Sequence, residues 1–196
     1  MLASQLTSIA GCPNVWIKSL AGFTRRAAIW ACALAVISSL AIAPAANVYA
    51  QGLRPYEPLD PAKAQTLPTT PLTIESKGSS YQFSVELADT PAEHAIGLMH
   101  RNYLAPDHGM LFDYKSPQRL RFWMRNTFIS LDMLFIRGDG EVAFIAESTI
   151  PHSERTIGPR ELAQAVLEVP AGTVARLGLK IGDVVRHPIF GNLSSP

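Results

Sequence analysis

The sequence predicts a mainly β protein: a compact antiparallel β-sandwich or small barrel with one short α-helix near residues 91–99. Three observations lead there. Segments alternating between apolar and polar residues recur at short intervals, the cleanest being Tyr81–Leu87, with Tyr81, Phe83, Val85 and Leu87 on one face. Turn signals such as Arg137-Gly138-Asp139-Gly140 and Pro170-Ala171-Gly172 separate them. Only one stretch carries a strong helix-start signature, and no strand–helix–strand rhythm runs through the chain.

The first fifty of the 196 residues are of a different kind. They hold Lys18, Arg25 and Arg26 and no acidic residue, and the basic pair leads directly into the apolar run Ala27–Ala43. This reads as a secretory signal over 1–50, with the small-residue site Val48-Tyr49-Ala50 placing cleavage before Gln51. An uncleaved membrane anchor and a twin-arginine signal are the alternatives, the run being close to the shortest that spans a bilayer. Ile9-Ala10-Gly11-Cys12 resembles a lipoprotein box but lacks a preceding apolar run. Cys12 and Cys32 both fall in the signal, so the exported chain has no thiol chemistry and no disulfide. Without the signal, 14 basic and 16 acidic side chains remain, a net charge of −2, which speaks against nucleic acid or an anionic membrane as partner.

Residues 51–71, with five prolines, read as a linker or disordered arm, 72–190 as a single β-rich domain and 191–196 as a loose tail. Thr90-Pro91-Ala92-Glu93 is a capping box that starts a helix running to Met99 or His100, with Ala92, Ile96 and Met99 toward the core and Glu93 and His100 toward water. Gly97 within it costs about 1 kcal/mol relative to Ala and marks close backbone packing. Gly109–Tyr114 is a strand and Lys115–Gln118 a turn. Leu120–Arg125 alternates, with Leu120, Phe122 and Met124 on one face and Arg121, Trp123 and Arg125 on the other. Ser130–Ile136 is apolar on both faces apart from Asp132, as in a strand buried on both sides. Glu141–Thr149, Ala163–Val169 and Val184–Pro188 are further strands, and Thr173 caps a helical turn through Leu177 that stops at Gly178.

Gly97-Leu98-Met99-His100-Arg101, Gly109-Met110-Leu111-Phe112, Phe122-Trp123-Met124-Arg125-Asn126-Thr127 with Leu131-Asp132 and Phe135, and Leu167-Glu168-Val169-Pro170-Ala171-Gly172 with Gly182-Asp183 occur in an order that resembles the domain of unknown function 192 family. Arg125 stands where that family usually has Lys. The resemblance covers roughly Leu72–Pro188 and implies a mostly β fold of jelly-roll type in prokaryotic, often exported, proteins. It carries no activity and therefore no catalytic residue.

Arg121, Trp123, Arg125, Asn126, Thr127 and Asp132 form the candidate ligand-binding set. A Trp between two guanidinium groups suits a sugar ring bearing carboxylates, or a peptide carboxylate. The competing reading covers Trp123 with a loop and pairs the arginines with Asp132, Glu147 or Glu168. Asn126 and Thr127 either line a pocket or bond nearby backbone at a corner. Asp132, among apolar neighbours, must be paired, hydrogen-bonded or neutral. Its expected partner is an arginine, an acid or base role being the alternative.

These residues favour an exported ligand-binding or accessory module for an acidic glycan or peptide rather than a classical enzyme. One alternative is a carbohydrate-active enzyme using Asp132 with His100 or Glu168. A further alternative is a periplasmic copper-handling protein, since Met99, Met110, Met124 and Met133 share a region with His94, His100 and His108; core filling explains the methionines equally well. The sequence contains no H-E-x-x-H, G-x-S-x-G or Walker motif, and Ser148 and His152 lack a placed acid partner. No metal ligand or cofactor is assigned, and the expected partners are small-molecule, glycan or peptide ligands, with a membrane only if the signal stays attached.

Overall fold

The computed structural model describes residues 57–193. The expected signal segment and cleavage site, residues 51–56 of the expected arm and residues 194–196 of the tail lie outside them. Seven strands form the domain: β1 (Thr69–Ser76), β2 (Ser79–Ala88), β3 (His108–Gln118), β4 (Leu131–Ile136), β5 (Val142–Ala146), β6 (Ala163–Pro170) and β7 (Val184–Arg186). Two short helices accompany them, α1 (Pro91–Ile96) and α2 (Thr173–Leu177). The strands make one sheet in the order β5-β4-β6-β3-β2-β1-β7, curled into a half-barrel. Its two edges meet at one end, where the Val142 amide donates to the Asp183 carbonyl and the Val185 amide to the Gly140 carbonyl, both at 2.8 Å.

The fold is mainly β and barrel-like, as the alternation predicts, but the sheet is mixed rather than wholly antiparallel. β2 and β3 run parallel, which requires a crossover, and α1 lies within it. The Lys115–Gln118 segment continues β3 rather than turning, with an irregularity against β6 and Lys115 at φ +64°. Residues 120–125 alternate as predicted yet join no sheet ladder; a single bridge ties Phe122 to Ile157.

Two apolar layers sandwich the middle of the sheet. The inner one takes residues from all seven strands, among them Ile74, Val85, Leu111, Leu134, Val142, Leu167 and Val185. The outer one sets Met110, Phe112, Met133, Phe135 and Val166 beneath Leu98, Leu120 and Met124. Being covered on both faces explains why β4 is buried at all six positions and reads as a continuous apolar run.

The capping box on α1 is present: the Thr90 hydroxyl accepts from the Glu93 amide at 3.3 Å and the Glu93 carboxylate accepts from the Thr90 amide at 3.0 Å. The helix stops at Ile96, earlier than the spacing predicts, because Gly97 takes φ +52° and seats its α-carbon against the Phe112 ring, where a Cβ would lie 3.1 Å from Cζ. That early stop reverses the expected faces. Ala92 and Ile96 are exposed and Met99 half-buried, while Leu98 and His100, beyond the helix, turn inward. Residues 57–68, expected as a free arm, are held on the domain. Gln65 Nε2 donates to the Glu93 carbonyl at 2.9 Å, and the Leu67 amide donates to Glu86 at 2.7 Å.

Asp132 is wholly buried, and its partner is not an arginine. One carboxylate oxygen accepts from the Ser148 amide at 2.8 Å and the other from the Val174 amide at 2.9 Å. Gly172, rather than Thr173, occupies the N-cap of α2 and has no side chain to bond its free amides, so Asp132 supplies that acceptor from across the fold. Asp132→Ala leaves the buried Val174 amide and the part-buried Ser148 amide without acceptors and is expected to lower the free energy of unfolding by about 2–4 kcal/mol, with Asp132→Asn losing less. Urea unfolding followed by circular dichroism measures both, and a loss under 1 kcal/mol for the alanine variant contradicts this role.

Candidate functional site

On the outer face the cover is incomplete. A small cleft of about 80 Å³ lies between the Gly97–Met99 segment and Arg121–Trp123, with Phe112, Tyr114 and Glu168 also lining it. It continues into a shallower groove beside Asp89 and Lys115, the two sharing His94, Tyr114, Arg121 and Trp123. Strand parity builds this floor. In the β3–β6–β4 ladder Glu168 stands directly opposite Met110 on one side and Met133 on the other, so all three side chains share the outer face.

Glu168 is only 4% exposed, and its carboxyl makes no hydrogen bond or ion pair among the described residues while opening onto the cleft. Burial pushes its pKa up to about 8, with no neighbouring charge offsetting the effect. At neutral pH the floor therefore presents a protonated carboxyl, a donor rather than an anion. Beside it the Tyr114 phenol is raised as well, by burial first and by Glu168 second.

The walls are polar and aromatic. His94 places Nε2 3.0 Å from the Ala88 carbonyl and lays its ring 4.3 Å from that of Tyr114. Because a carbonyl can only accept, the proton sits on Nε2 and the lone pair on Nδ1. Arg121 donates from one guanidinium nitrogen to the Leu120 carbonyl at 2.8 Å and to the Pro159 carbonyl, and has no carboxylate partner among the described residues. Trp123 is 49% exposed.

The sequence-derived set divides. Arg121, Trp123 and Thr127 line the cleft; Thr127 is buried, its hydroxyl 3.3 Å from the Arg125 carbonyl. Arg125 points to solvent, 3.9 Å from Glu154. Asn126, at φ +53°, donates to Glu57 of the arm at 3.1 Å. Asp132 sits on the inner face of β4. His100 is buried behind the wall, its Nδ1 3.3 Å from the Asp60 amide and its Nε2 3.6 Å from Glu57. Asp132, His100 and Glu168 therefore do not converge. Met110, Met124 and Met133 are wholly enclosed, and among the described residues no group of three His, Cys, Asp or Glu side chains is placed to hold a metal.

Three polar residues of the cleft lie outside the sequence-derived ligand-binding set: Glu168, named there only as a partner for an arginine or, in the enzyme alternative, for Asp132, His94, named only for the copper alternative, and Tyr114, not singled out at all. Glu168 is detectable as a charge within Ala-Val-Leu-Glu-Val, and Tyr114 by its parity with Phe112. Glu168 also sets a pH dependence of stability. The native state keeps its proton up to pH about 8, whereas the unfolded chain releases it near 4.5, so between those values the native state binds more protons and stability falls as pH rises. The slope approaches 1.4 kcal/mol per pH unit. Glu168→Gln should flatten that part of the profile in thermal melts across pH 4.5–8; an unchanged profile contradicts the assignment.

The DUF192 family model, described as an uncharacterized ACR, matches residues 72–187. A UPF0127 protein of Pyrococcus abyssi is 30% identical over 113 residues, 57% of this chain and 92% of that protein. The crystal structure of a Sinorhizobium meliloti protein provisionally described as a transcription regulator superposes with a TM-score of 0.62 at 41% identity, covering 64% of this chain and 98% of the other. A Novosphingobium aromaticivorans protein of unknown function gives 0.61 at 38% identity, covering 68% and 91%. The matched span holds every cleft residue described above, and the chain belongs to the DUF192 family.

Proposed function

We propose that the protein is an exported binding module whose cleft takes an acidic sugar. The observation that carries this reading is the pairing, in one cleft, of a half-exposed Trp123 with an Arg121 guanidinium that has no carboxylate partner among the described residues. An indole face offers a platform for the C–H face of a sugar ring, and a guanidinium fixes a carboxylate. Glu168 supports the same reading. As a neutral carboxyl it donates a hydrogen bond to a ring hydroxyl and does not repel the acid group. Phe112 and Phe122 supply the apolar part of the lining beside those contacts. Export fits such a ligand, with residues 1–50 serving as the signal.

Isothermal titration with a short oligogalacturonate tests the proposal. Trp123→Ala should weaken binding by about 1–2 kcal/mol, roughly 5- to 30-fold, and Arg121→Ala should abolish the preference for the acidic over the neutral oligosaccharide. Affinity should also fall as pH rises above about 8, when Glu168 ionises and repels the ligand. Equal affinity of wild type and a folded Trp123→Ala variant sinks the proposal.

A further inference from the structure

The cleft contains more than recognition requires. Two groups in it are arranged for opposite proton transfers. His94 has its Nε2 hydrogen committed to the Ala88 carbonyl at 3.0 Å, which leaves the Nδ1 lone pair as a base without a partner among the described residues. Glu168, 4% exposed and unbonded, opens onto the same cleft as an acid. Hydrolysis of a glycoside by a pair of carboxyl groups is not favoured by this arrangement. Asp89 and Asp113, the other carboxylates lining the adjoining groove, are both bound to the Lys115 ammonium, at 2.9 and 3.0 Å. Asp132 lies on the other face of the sheet. One base, one acid and one guanidinium, with the groove's two carboxylates tied to Lys115, suit an elimination.

Building on the acidic-sugar reading, we infer that the cleft is a lyase site for 4-linked uronates, with His94 as base, Glu168 as acid and Arg121 holding the carboxylate. Arg121 pairs with the uronate carboxylate and disperses the charge that develops when the C5 hydrogen leaves. His94 Nδ1 takes that hydrogen as a proton. The electron pair of the C5–H bond forms the C4–C5 double bond, and the C4–O4 bond breaks with its pair remaining on O4. Glu168 protonates O4, releasing the leaving sugar as an alcohol. Nothing is oxidised or reduced, and one proton returned from imidazolium to carboxylate through water restores both groups. The raised pKa of Glu168 keeps that acid protonated at neutral pH.

The test incubates the full protein with oligogalacturonate, and separately with oligomannuronate, and follows the ultraviolet absorbance of the C4–C5 unsaturated product. Activity on either substrate is expected to fall at least about 100-fold in Glu168→Gln and in His94→Gln, while calorimetry shows both variants still binding the oligosaccharide. Wild-type binding without unsaturated product overturns the lyase and leaves the binding module intact. Product formation that survives Glu168→Gln or His94→Gln also overturns it. Absence of binding to both oligosaccharides overturns the lyase and the acidic-sugar reading together.

Discussion

The burial of β6 and β4 on both faces is the constraint from which the rest of this fold follows. A strand covered on one side can send its polar residues to water; one covered on both sides cannot. The middle of the sheet nevertheless carries two carboxyl groups in neighbouring rungs, since Asp132 pairs with Val169 and Met133 with Glu168. Alternation sends them to opposite faces. Asp132, inside the curl, finds two backbone amides and so binds the Ser148 loop and the start of α2 to β4. Glu168, on the outer face, finds none and remains protonated at neutral pH instead. Similar burial thus yields a structural tie on one side and a protonated carboxyl facing the cleft on the other.

The two covers differ because of what supplies them. The inner layer is closed by the curl of the sheet together with Val174 of α2, Leu179 after it and Phe190 after β7. The outer layer is closed by irregular segments held together through main-chain bonds: His100 amide to Asn126 carbonyl at 2.9 Å, and Met124 amide to Ser153 carbonyl at 2.8 Å. Gln65 from the arm adds a bond to the Gly97 carbonyl at 3.1 Å. His100, Asn126 and His152 all adopt positive φ along this cover, a conformation that costs non-glycine residues energy and persists where surroundings enforce it. Such a cover follows the path of the chain rather than the spacing of a ladder. The cleft opens where Gly97 brings backbone against Phe112, a closeness that a side chain would block.

Period-2 parity is a local property, and what it governs was legible in the sequence. Leu120 and Met124 are buried while Arg121, Trp123 and Arg125 are exposed, as their spacing implies. The capping box at Thr90 is local too. What the sequence left open depends on which segments meet. The partners of Asp132 come from Ser148 and Val174, and nothing in Leu131–Ile136 announces them. His100 is buried because Asp60 and Glu57 return over it, and α1 ends early because of Phe112, a residue of the following strand. Arg125 and Arg121 look equivalent in the alternating run, yet only Arg121 faces the cleft. Glu168 was visible as a charge in an apolar strand. Its separation from Asp132 required the β4–β6 register.

Glu168 finally bears on why the outer cover is left open. A buried carboxyl without a partner weakens the fold at neutral pH, and a glutamine or an aliphatic side chain would fill the same place between Met110 and Met133 without an ionisation penalty. Asp132 shows that this sheet can hold a carboxylate with every oxygen bonded. The missing partner at Glu168 is therefore a property of that position and not of the architecture. The group lies open to a cleft with Trp123, Arg121 and His94 around it, where a ligand hydroxyl can supply the hydrogen bond that the protein withholds. On the proposed reading this local cost is concentrated where the cover opens because the interaction that offsets it arrives with the ligand.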